Sequence, residues 1–158
     1  MDAMKVKRIA IVTGATGGLG REFVHLLLKE KNVDEIWALA RNEKKLGRLK
    51  EKFGQKVKIY SIDLSSVRQI QCFEEELKQE AQRRKLEISY LINNAGFAKF
   101  CSYGDLSIEE SLNMIHVNID AVVAMGLVCI PYMKKGSHLI NIASQASFQP
   151  LPYQNIYS

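Results

Sequence analysis

A glycine-rich stretch near the N-terminus, TGATGGLG at residues 13–20, has the composition and spacing of a phosphate cradle. It follows a short apolar run typical of a buried parallel strand and precedes a segment with helical periodicity. Glycines at such a place permit a tight turn and let the backbone approach a pyrophosphate, which the free N–H groups of the helix N-terminus then bind. A plain turn is the alternative, but it does not require this position between a first strand and a first helix. We therefore predict a dinucleotide-binding turn whose contacting residues are Gly14, Thr16, Gly17, Gly18, Leu19 and Gly20.

The residue about 20 positions after the last glycine is expected to meet the adenosine ribose of the dinucleotide. An acidic residue there binds the 2′-OH of NAD, whereas a nearby arginine accepts the 2′-phosphate of NADP. That position holds Ala40, followed by Arg41, and the acidic residues Asp34 and Glu35 lie at the wrong end of the predicted strand. Arg41 could simply open a solvated basic helix. The missing carboxylate favours NADP(H) as the cofactor, with NAD(H) possible.

Three motifs together resemble the short-chain dehydrogenase/reductase family, and the resemblance extends over residues 7–158. The glycines are spaced TGxxxGxG, an Asp–Leu pair follows the third predicted strand, and NNAG ends the fourth. The resemblance implies an oxidoreductase that transfers a hydride between NADP(H) and a ketone or secondary alcohol. It also implies further cofactor contacts: Asp63 with the adenine amino group, its neighbour Leu64, and Asn94, Ala95 and Gly96 along the adenosine ribose.

The same resemblance implies a catalytic group of a tyrosine, a serine and an asparagine. In the family the tyrosine protonates the carbonyl oxygen with the help of a lysine four residues later, and a serine at the end of the fifth strand polarises the carbonyl. Tyr157 follows Ser144 by 13 residues, the family's spacing, whereas Tyr153 follows it by nine. Tyr157 is thus the candidate general acid/base, which also touches the cofactor, and Tyr153 is a packed residue or one that lines the substrate entrance. Asn118, on a long helix, is the candidate that holds a water in the proton relay.

Other function classes remain open. A Rossmann domain that senses NADP(H) without turning it over would have little need of Asn118, Ser144 and Tyr157 together. A methyltransferase with a similar glycine turn would leave Arg41 and NNAG unexplained.

Several residues suggest an apolar pocket wall and hence lipid-like or alicyclic carbonyl substrates: Phe97, Phe148, Gln149, Pro150 and Tyr153. No two of the three histidines have metal-ligand spacing, so no metal is predicted.

The elements that must position these residues alternate between strand and helix patterns. Such alternation predicts an α/β fold, a doubly wound parallel sheet of the Rossmann type with strand order 3-2-1-4-5, in a single NAD(P)-binding domain over residues 1–158. A long helix over residues 108–133 should be interrupted and should bend near Pro131. The predicted strands cover residues 7–13, 35–40, 56–62, 88–93 and 138–143.

The predicted sheet is one strand short of the usual dinucleotide fold, which has at least six. The lysine that the family places after its tyrosine would fall three positions beyond Ser158. We therefore expect these residues to be the N-terminal part of a longer single-domain enzyme, with the sheet completed by later elements. On that expectation, the 158-residue piece alone binds the cofactor weakly at best and does not reduce ketones at a useful rate.

Composition limits the partners. The net charge of +5 comes from dispersed basic residues without interleaved aromatic side chains, which argues against nucleic-acid binding. Three cysteines (Cys72, Cys101 and Cys129) without a CxxC pair indicate reduced thiols in a cytoplasmic protein. The longest apolar stretch, residues 121–133, falls short of the ~20 residues that a membrane span requires, so no membrane partner is predicted.

The helix over residues 119–133 is apolar on nearly all sides, which requires burial on more than one face. In the family that it resembles, this helix packs against its symmetry mate. We therefore predict a homodimer or homotetramer, the alternative being burial by a further part of the same protein.

Overall fold

A computed structural model describes residues 6–102, 104–154 and 156–158. Within them, one sheet contains the strands β1 Lys7–Thr13, β2 Glu35–Ala40, β3 Val57–Ser61, β4 Leu86–Asn93 and β5 Met133–Asn141. The helices are α1 Gly18–Leu27, α2 Glu43–Phe53, α3 Val67–Arg83, α4 Ile108–Ile115 and α5 Ala121–Cys129. A π-helical turn, His116–Asp120, joins α4 to α5, and short 3₁₀ turns lie at Ile130–Tyr132 and Gln145–Ser147.

All neighbouring strands pair in parallel in the order β3-β2-β1-β4-β5, which confirms the predicted topology. Side chains alternate between the two faces of the sheet. Ile9 and Ile11 of β1 belong to a core that includes residues of α3 and α5, whereas Ala10 and Val12 belong to a second core with residues of α1 and α2. Helices cover both faces of the sheet, so the carboxyl ends of the strands lie open at one end of the sheet. Doubly wound folds bind their ligands at this end.

The fifth strand differs from its prediction at both ends. It begins at Met133 and ends at Asn141 instead of covering residues 138–143. Pairing passes from Ile88–Met133 to Tyr90–His138, so the intervening residues of β5 form a bulge. Gly136 adopts a φ of 92° within this bulge. The hydrophobic pattern alone does not reveal a strand that is interrupted in this way.

The long helix is interrupted where the π turn inserts an extra residue beside Asn118, and it ends in the 3₁₀ turn that contains Pro131. The whole stretch, Ile108–Tyr132, has 25 residues and is apolar enough to cross a membrane by length and composition. Core helices of soluble proteins pass the same test. Here Ala121, Met125 and Cys129 of α5 pack into the core on one face of the sheet.

An ion-pair network lies at the opposite, amino-terminal edge of the sheet. Arg84 contacts both carboxylate oxygens of Glu35 at 2.8 and 2.9 Å and also reaches Glu80 at 2.7 Å. The indole N–H of Trp37 donates to Glu35 at 3.2 Å. These contacts tie the start of β2 to the end of α3.

Candidate active site

The glycine-rich turn is attached to the neighbouring strand through Thr13, the last residue of β1. The Thr13 hydroxyl oxygen accepts hydrogen bonds from the backbone N–H groups of Asn94, at 3.0 Å, and Ala95, at 2.9 Å. In return, the Asn94 side chain donates to the carbonyls of Thr13, at 3.0 Å, and Gly14, at 3.2 Å. The turn after β1 and the NNAG segment after β4 therefore form one unit. The motif predicted both segments but not this role of Thr13, although Thr13 is its first residue.

The glycines of the turn differ in how much space a side chain would have. Gly14 has a φ of 61°, and a Cβ on it would lie 2.9 Å from the Cα of Ala95. A Cβ on Gly20 would lie 2.2 Å from the carbonyl oxygen of Gly14. These two glycines close the turn. At Gly18 no atom lies within 4 Å of such a Cβ, so packing within the described residues gives no reason for a glycine there.

The N-terminus of α1 is suited to a phosphate. Its N-cap, Gly17, supplies no side-chain hydrogen bond, and its first turn contains no acidic residue. By contrast, α2, α3 and α4 are capped by the side chains of Asn42, Ser66 and Ser107. The first N–H groups of α1 are consequently left for an anionic ligand, and the helix dipole favours one there. The residues present fit the pyrophosphate of a dinucleotide.

A cavity of about 730 Å³, called here the dinucleotide cavity, opens beside this helix end. Its volume lies within the range of small-molecule sites. Every residue predicted to bind the cofactor lines it, except Tyr157. The residues concerned are Gly14, Thr16, Gly17, Gly18, Leu19, Gly20, Arg41, Asp63, Leu64, Asn94, Ala95 and Gly96.

Two cationic side chains, Arg41 and Lys45, contribute to the wall of this dinucleotide cavity beyond the tip of β2. Asn42 lies between them and accepts a hydrogen bond from the backbone N–H of Lys45 at 2.9 Å, which starts α2. Helix α2 thus begins at the cavity wall with its positive dipole end and two positive charges together. This is a suitable environment for a phosphate.

The carboxylate of Asp63 is held in a fixed orientation. Its Oδ1 accepts hydrogen bonds from the backbone N–H and the hydroxyl of Ser65, at 3.0 and 2.8 Å. The Asp63 N–H donates to the Gln69 side chain at 2.8 Å. Within the described residues, the second carboxylate oxygen accepts no hydrogen bond, so it can accept one from a ligand amino group.

A second cavity, of about 410 Å³, adjoins the first and shares Leu19, Asn94, Ala95 and Gly96 with it. Its wall contains the three residues predicted to be catalytic, Asn118, Ser144 and Tyr157. They come from the π turn, from the loop after β5 and from the last described residues. The structure therefore brings together side chains that are up to 39 positions apart in the sequence.

Ser144 follows the last residue of β5 by three positions rather than ending the strand. Its Oγ accepts a hydrogen bond from the backbone N–H of Ala146 at 3.2 Å. The Ser144 carbonyl oxygen accepts from the hydroxyl of Ser147 at 2.7 Å. The Ser144 hydroxyl proton can accordingly be donated to a ligand while the oxygen stays fixed.

The side chain of Asn118 faces the loop after β4. Its Oδ1 accepts from the backbone N–H of Phe97 at 3.0 Å, and its Nδ2 donates to the Phe97 carbonyl at 2.9 Å. A Cβ on Gly96 would lie 3.1 Å from the same Oδ1. The π turn thus fixes the loop that separates the two cavities.

Other polar side chains near the site have local roles. His116, on the π turn, contacts Asp120 at 2.6 Å at the surface. Of the residues proposed as an apolar pocket wall, Phe97 lines the dinucleotide cavity, while Phe148 is 93% exposed and Gln149 and Pro150 are also exposed. Among the residues that the structure describes, no group of three His, Cys, Asp or Glu side chains could hold a metal ion.

Comparison with known proteins gives a family match. The profile of the short chain dehydrogenase family matches residues 8–158. An uncharacterized oxidoreductase of Staphylococcus aureus (strain N315) is 32% identical over 154 residues, covering 96% of this chain and 64% of the relative. One from Staphylococcus epidermidis is 28% identical and covers 97% of this chain. The chain thus spans 64% of the length of the first of these curated relatives.

Solved structures agree with the fold. A serine dehydrogenase from Escherichia coli superposes with a TM-score of 0.80 at 30% identity, covering 94% of this chain and 68% of that one. A closed form of serine dehydrogenase complexed with NADP⁺ gives 0.81 at 30% identity, with coverages of 94% and 59%. A metagenomic short-chain oxidoreductase in complex with NADP gives 0.82 at 25% identity, with coverages of 95% and 68%.

Proposed function

The chain belongs to the short-chain dehydrogenase family, and from that premise we propose that its protein is an NADP(H)-dependent oxidoreductase acting on ketones or secondary alcohols. One observation carries the proposal: a cavity with a phosphate-binding helix end adjoins a cavity that contains Asn118, Ser144 and Tyr157. A sensor that only binds the dinucleotide would not need the second group.

The preference for NADP(H) rests on Arg41 and Lys45, which contribute to the same cavity wall beyond β2. A 2′-phosphate would be bound there by a guanidinium, an ammonium and the start of α2, whereas a 2′-hydroxyl gains little from these charges. Two similar solved structures contain NADP, which agrees with this assignment.

In the proposed reaction, each residue acts on charge or on a proton. With NADP(H) held by the residues of the first cavity, its nicotinamide would supply the hydride for the carbonyl carbon, or would accept it in the reverse direction. Tyr157 gives the proton of its hydroxyl group to the carbonyl oxygen, which acquires negative charge. Ser144 donates a hydrogen bond to the same oxygen and thereby orients and polarises the carbonyl. Asn118 holds Phe97 and so keeps the loop between the cavities in position.

The test uses the natural full-length protein with NADPH and a panel of ketones, following NADPH absorbance. We expect turnover with NADPH, and Tyr157→Phe should lower kcat by about 10²–10⁴-fold because it removes the proton donor. NADPH binding by the variant should persist. Binding of NADPH without turnover of any ketone or alcohol would favour the sensor function instead, and undiminished turnover by Tyr157→Phe would exclude its role.

We further propose that the protein is cytoplasmic, forms a homodimer or homotetramer, and needs neither nucleic acid nor a membrane. The oligomer proposal rests on an exposed apolar stripe that runs from the π turn along α5 to the following 3₁₀ turn, formed by Ile119, Val123, Leu127 and Ile130. Burial raises the pKa of the Cys129 thiol to about 12, which agrees with a reduced structural cysteine in a cytoplasmic protein.

A further inference from the structure

A third cavity, of about 390 Å³, lies between α4, the loop that joins β4 to α4, and a second loop that includes Tyr153 and Ile156; it is called here the α4 cavity. Its wall is mainly apolar and includes Leu106, Ile108, Leu112, Met114, Ile115 and Ile156. Neither the cofactor contacts nor the proposed catalytic steps make use of this volume.

The α4 cavity adjoins the second cavity, which contains Ser144 and Tyr157. Met114, Ile115 and Ile156 contribute to the walls of both. Ile156 also directly precedes Tyr157 in the chain. A substituent on a carbonyl group held at Ser144 and Tyr157 would enter the α4 cavity by passing these three side chains.

The two loops that form the α4 cavity are joined to each other. The backbone N–H of Cys101 donates to the carbonyl of Tyr153 at 3.0 Å. Tyr153 itself adopts a φ of 65°, a left-handed conformation that is costly for a bulky residue and is typical of functional loops. The cavity is thus bounded by a specific loop arrangement.

The wall leaves apolar area in contact with water. Ile108 is 81% exposed, and Leu112 and Ile156 are 46% and 45% exposed. Hydrocarbon placed against these side chains would remove apolar surface from water on both sides, which is favourable.

The wall offers no net charge to a ligand. Among its described residues, Lys99 is the one basic or acidic side chain, and its ammonium contacts the Glu110 carboxylate at 2.6 Å. A ligand carboxylate would have to compete with Glu110 for this ammonium. A neutral chain has no such cost.

We infer that the α4 cavity binds the hydrocarbon chain of the substrate, so that the protein selects ketones and secondary alcohols with one long, uncharged apolar substituent. This inference rests on the proposed function, because it takes the reacting carbonyl to lie beside Ser144 and Tyr157. Leu112 is the specificity-determining residue that it identifies.

The experiment measures kcat/KM of the full-length protein with NADPH for 2-butanone, 2-hexanone and 2-octanone. Each methylene buried in the cavity should raise kcat/KM by about fourfold. The anion 7-oxooctanoate, with the same carbon count as 2-octanone, should be the poorer substrate by at least about tenfold, since it places a carboxylate in the apolar cavity. Equal values for 2-butanone and 2-octanone, or a preference for 7-oxooctanoate, would overturn the inference and leave the reductase function intact.

Two variants localise the effect. Leu112→Gln makes the wall polar at a partly exposed position and should reduce the preference for 2-octanone over 2-butanone by about tenfold. Leu26→Gln, at an exposed leucine of α1 outside the cavities, should leave that preference unchanged. Equal effects of both variants would contradict the location.

A binding measurement separates this inference from the proposed reaction. Saturation-transfer NMR should detect 2-octanol bound to the NADP⁺-loaded protein, with the signal lost in Leu112→Gln and kept in Leu26→Gln. If no ketone is reduced, the proposed function fails, whereas the absence of an octanol signal overturns the α4 cavity as the chain site.

Discussion

The side-chain amide of Asn118 pairs with both backbone groups of Phe97, at 3.0 and 2.9 Å, across the boundary between a π-helical turn and the loop after β4. An asparagine is suited to this task, because its amide presents a donor and an acceptor side by side. The family resemblance predicts that Asn118 holds a water. Because its oxygen and nitrogen already form hydrogen bonds with Phe97, such a water would have to bind in addition to these contacts.

Asn118→Ala should lower the free energy of unfolding by about 1–3 kcal/mol, since two partly buried backbone groups lose their partners. It should also lower kcat, because the loop between the cavities is no longer held. Denaturant unfolding and steady-state kinetics measure the two effects. Asn113→Ala is the matched control on the same helical stretch, since the Asn113 side chain makes no hydrogen bond within the described residues, and equal losses in both variants would argue against the Phe97 contact.

Substitution by alanine should affect stability at Gly20 and cofactor binding at Gly18. A Cβ on Gly20 would lie 2.2 Å from the Gly14 carbonyl oxygen, so Gly20→Ala should destabilise the fold by several kcal/mol and lower the melting temperature. Among the described residues, no atom lies within 4 Å of a Cβ on Gly18, so Gly18→Ala should keep the wild-type melting temperature. It should still weaken NADPH binding by about tenfold or more, because the methyl group occupies space that a pyrophosphate needs. Unchanged NADPH affinity in Gly18→Ala would place the phosphates elsewhere.

The parallel topology could be predicted from the sequence because strand and helix patterns alternate and crossovers between parallel strands are right-handed. The start of β5 could not be predicted, because it depends on a bulge around Gly136, and this bulge is evident only from the pairing of β5 with β4. The interruption of the long helix was predicted without its position. The π turn that contains Asn118 has no local sequence signal of an interruption, since it contains neither glycine nor proline.

For the candidate site, the glycine spacing predicted the turn after β1, because that turn is a short segment next to a strand end. The family resemblance predicted that Ser144 and Tyr157 belong to one site, and both line the second cavity. Thr13 and Leu112 were not identified. The role of Thr13 depends on hydrogen bonds to residues about 80 positions away, and that of Leu112 on a loop that folds against α4. Tertiary contacts of this kind leave no periodic or compositional trace.

Arg41 is expected to distinguish the two nicotinamide cofactors. Arg41→Ala should weaken NADPH binding by about 10- to 100-fold, the range for a lost charge-assisted hydrogen bond, and should change NADH binding little. Ala40→Asp should shift the preference toward NADH, because a carboxylate repels the 2′-phosphate and accepts a bond from the ribose hydroxyl. Titration with both cofactors measures these changes. Arg48→Ala, at an exposed arginine of α2 outside the cavity, is the control, and equal losses for NADPH and NADH in Arg41→Ala would exclude it as the phosphate reader.

Glu35 should make stability depend on pH in the acidic range. The hydrogen bonds from Arg84, opposed by partial burial and assisted by Trp37, lower the pKa of this carboxyl from 4.5 to about 2. Because the folded-state pKa is depressed, the stabilisation is fully present above about pH 4.5 and is lost as the pH falls toward 2. Glu35→Gln should cost about 1–2 kcal/mol at pH 7, a modest value because the pair is partly exposed. Urea unfolding at pH 7, 5 and 3.5 should show the difference from wild type shrinking only below about pH 4.5, and a difference independent of pH would contradict the ion pair.

The exposed apolar stripe along the π turn and α5 is expected to form a contact between copies of the full-length protein. Ile119, Val123 and Leu127 are spaced four residues apart and are 57%, 57% and 71% exposed, while the opposite face of the helix is buried in the core. Such a row of large apolar side chains is costly to leave in water. Leu127→Glu should dissociate the oligomer, because it places a carboxylate in the centre of the contact. Sedimentation velocity on the wild type and on Leu127→Glu measures the change, with Val67→Glu, at an exposed residue of α3, as the control. A wild-type protein that sediments only as a monomer would contradict the proposal, and the stripe would then have to be covered within one copy.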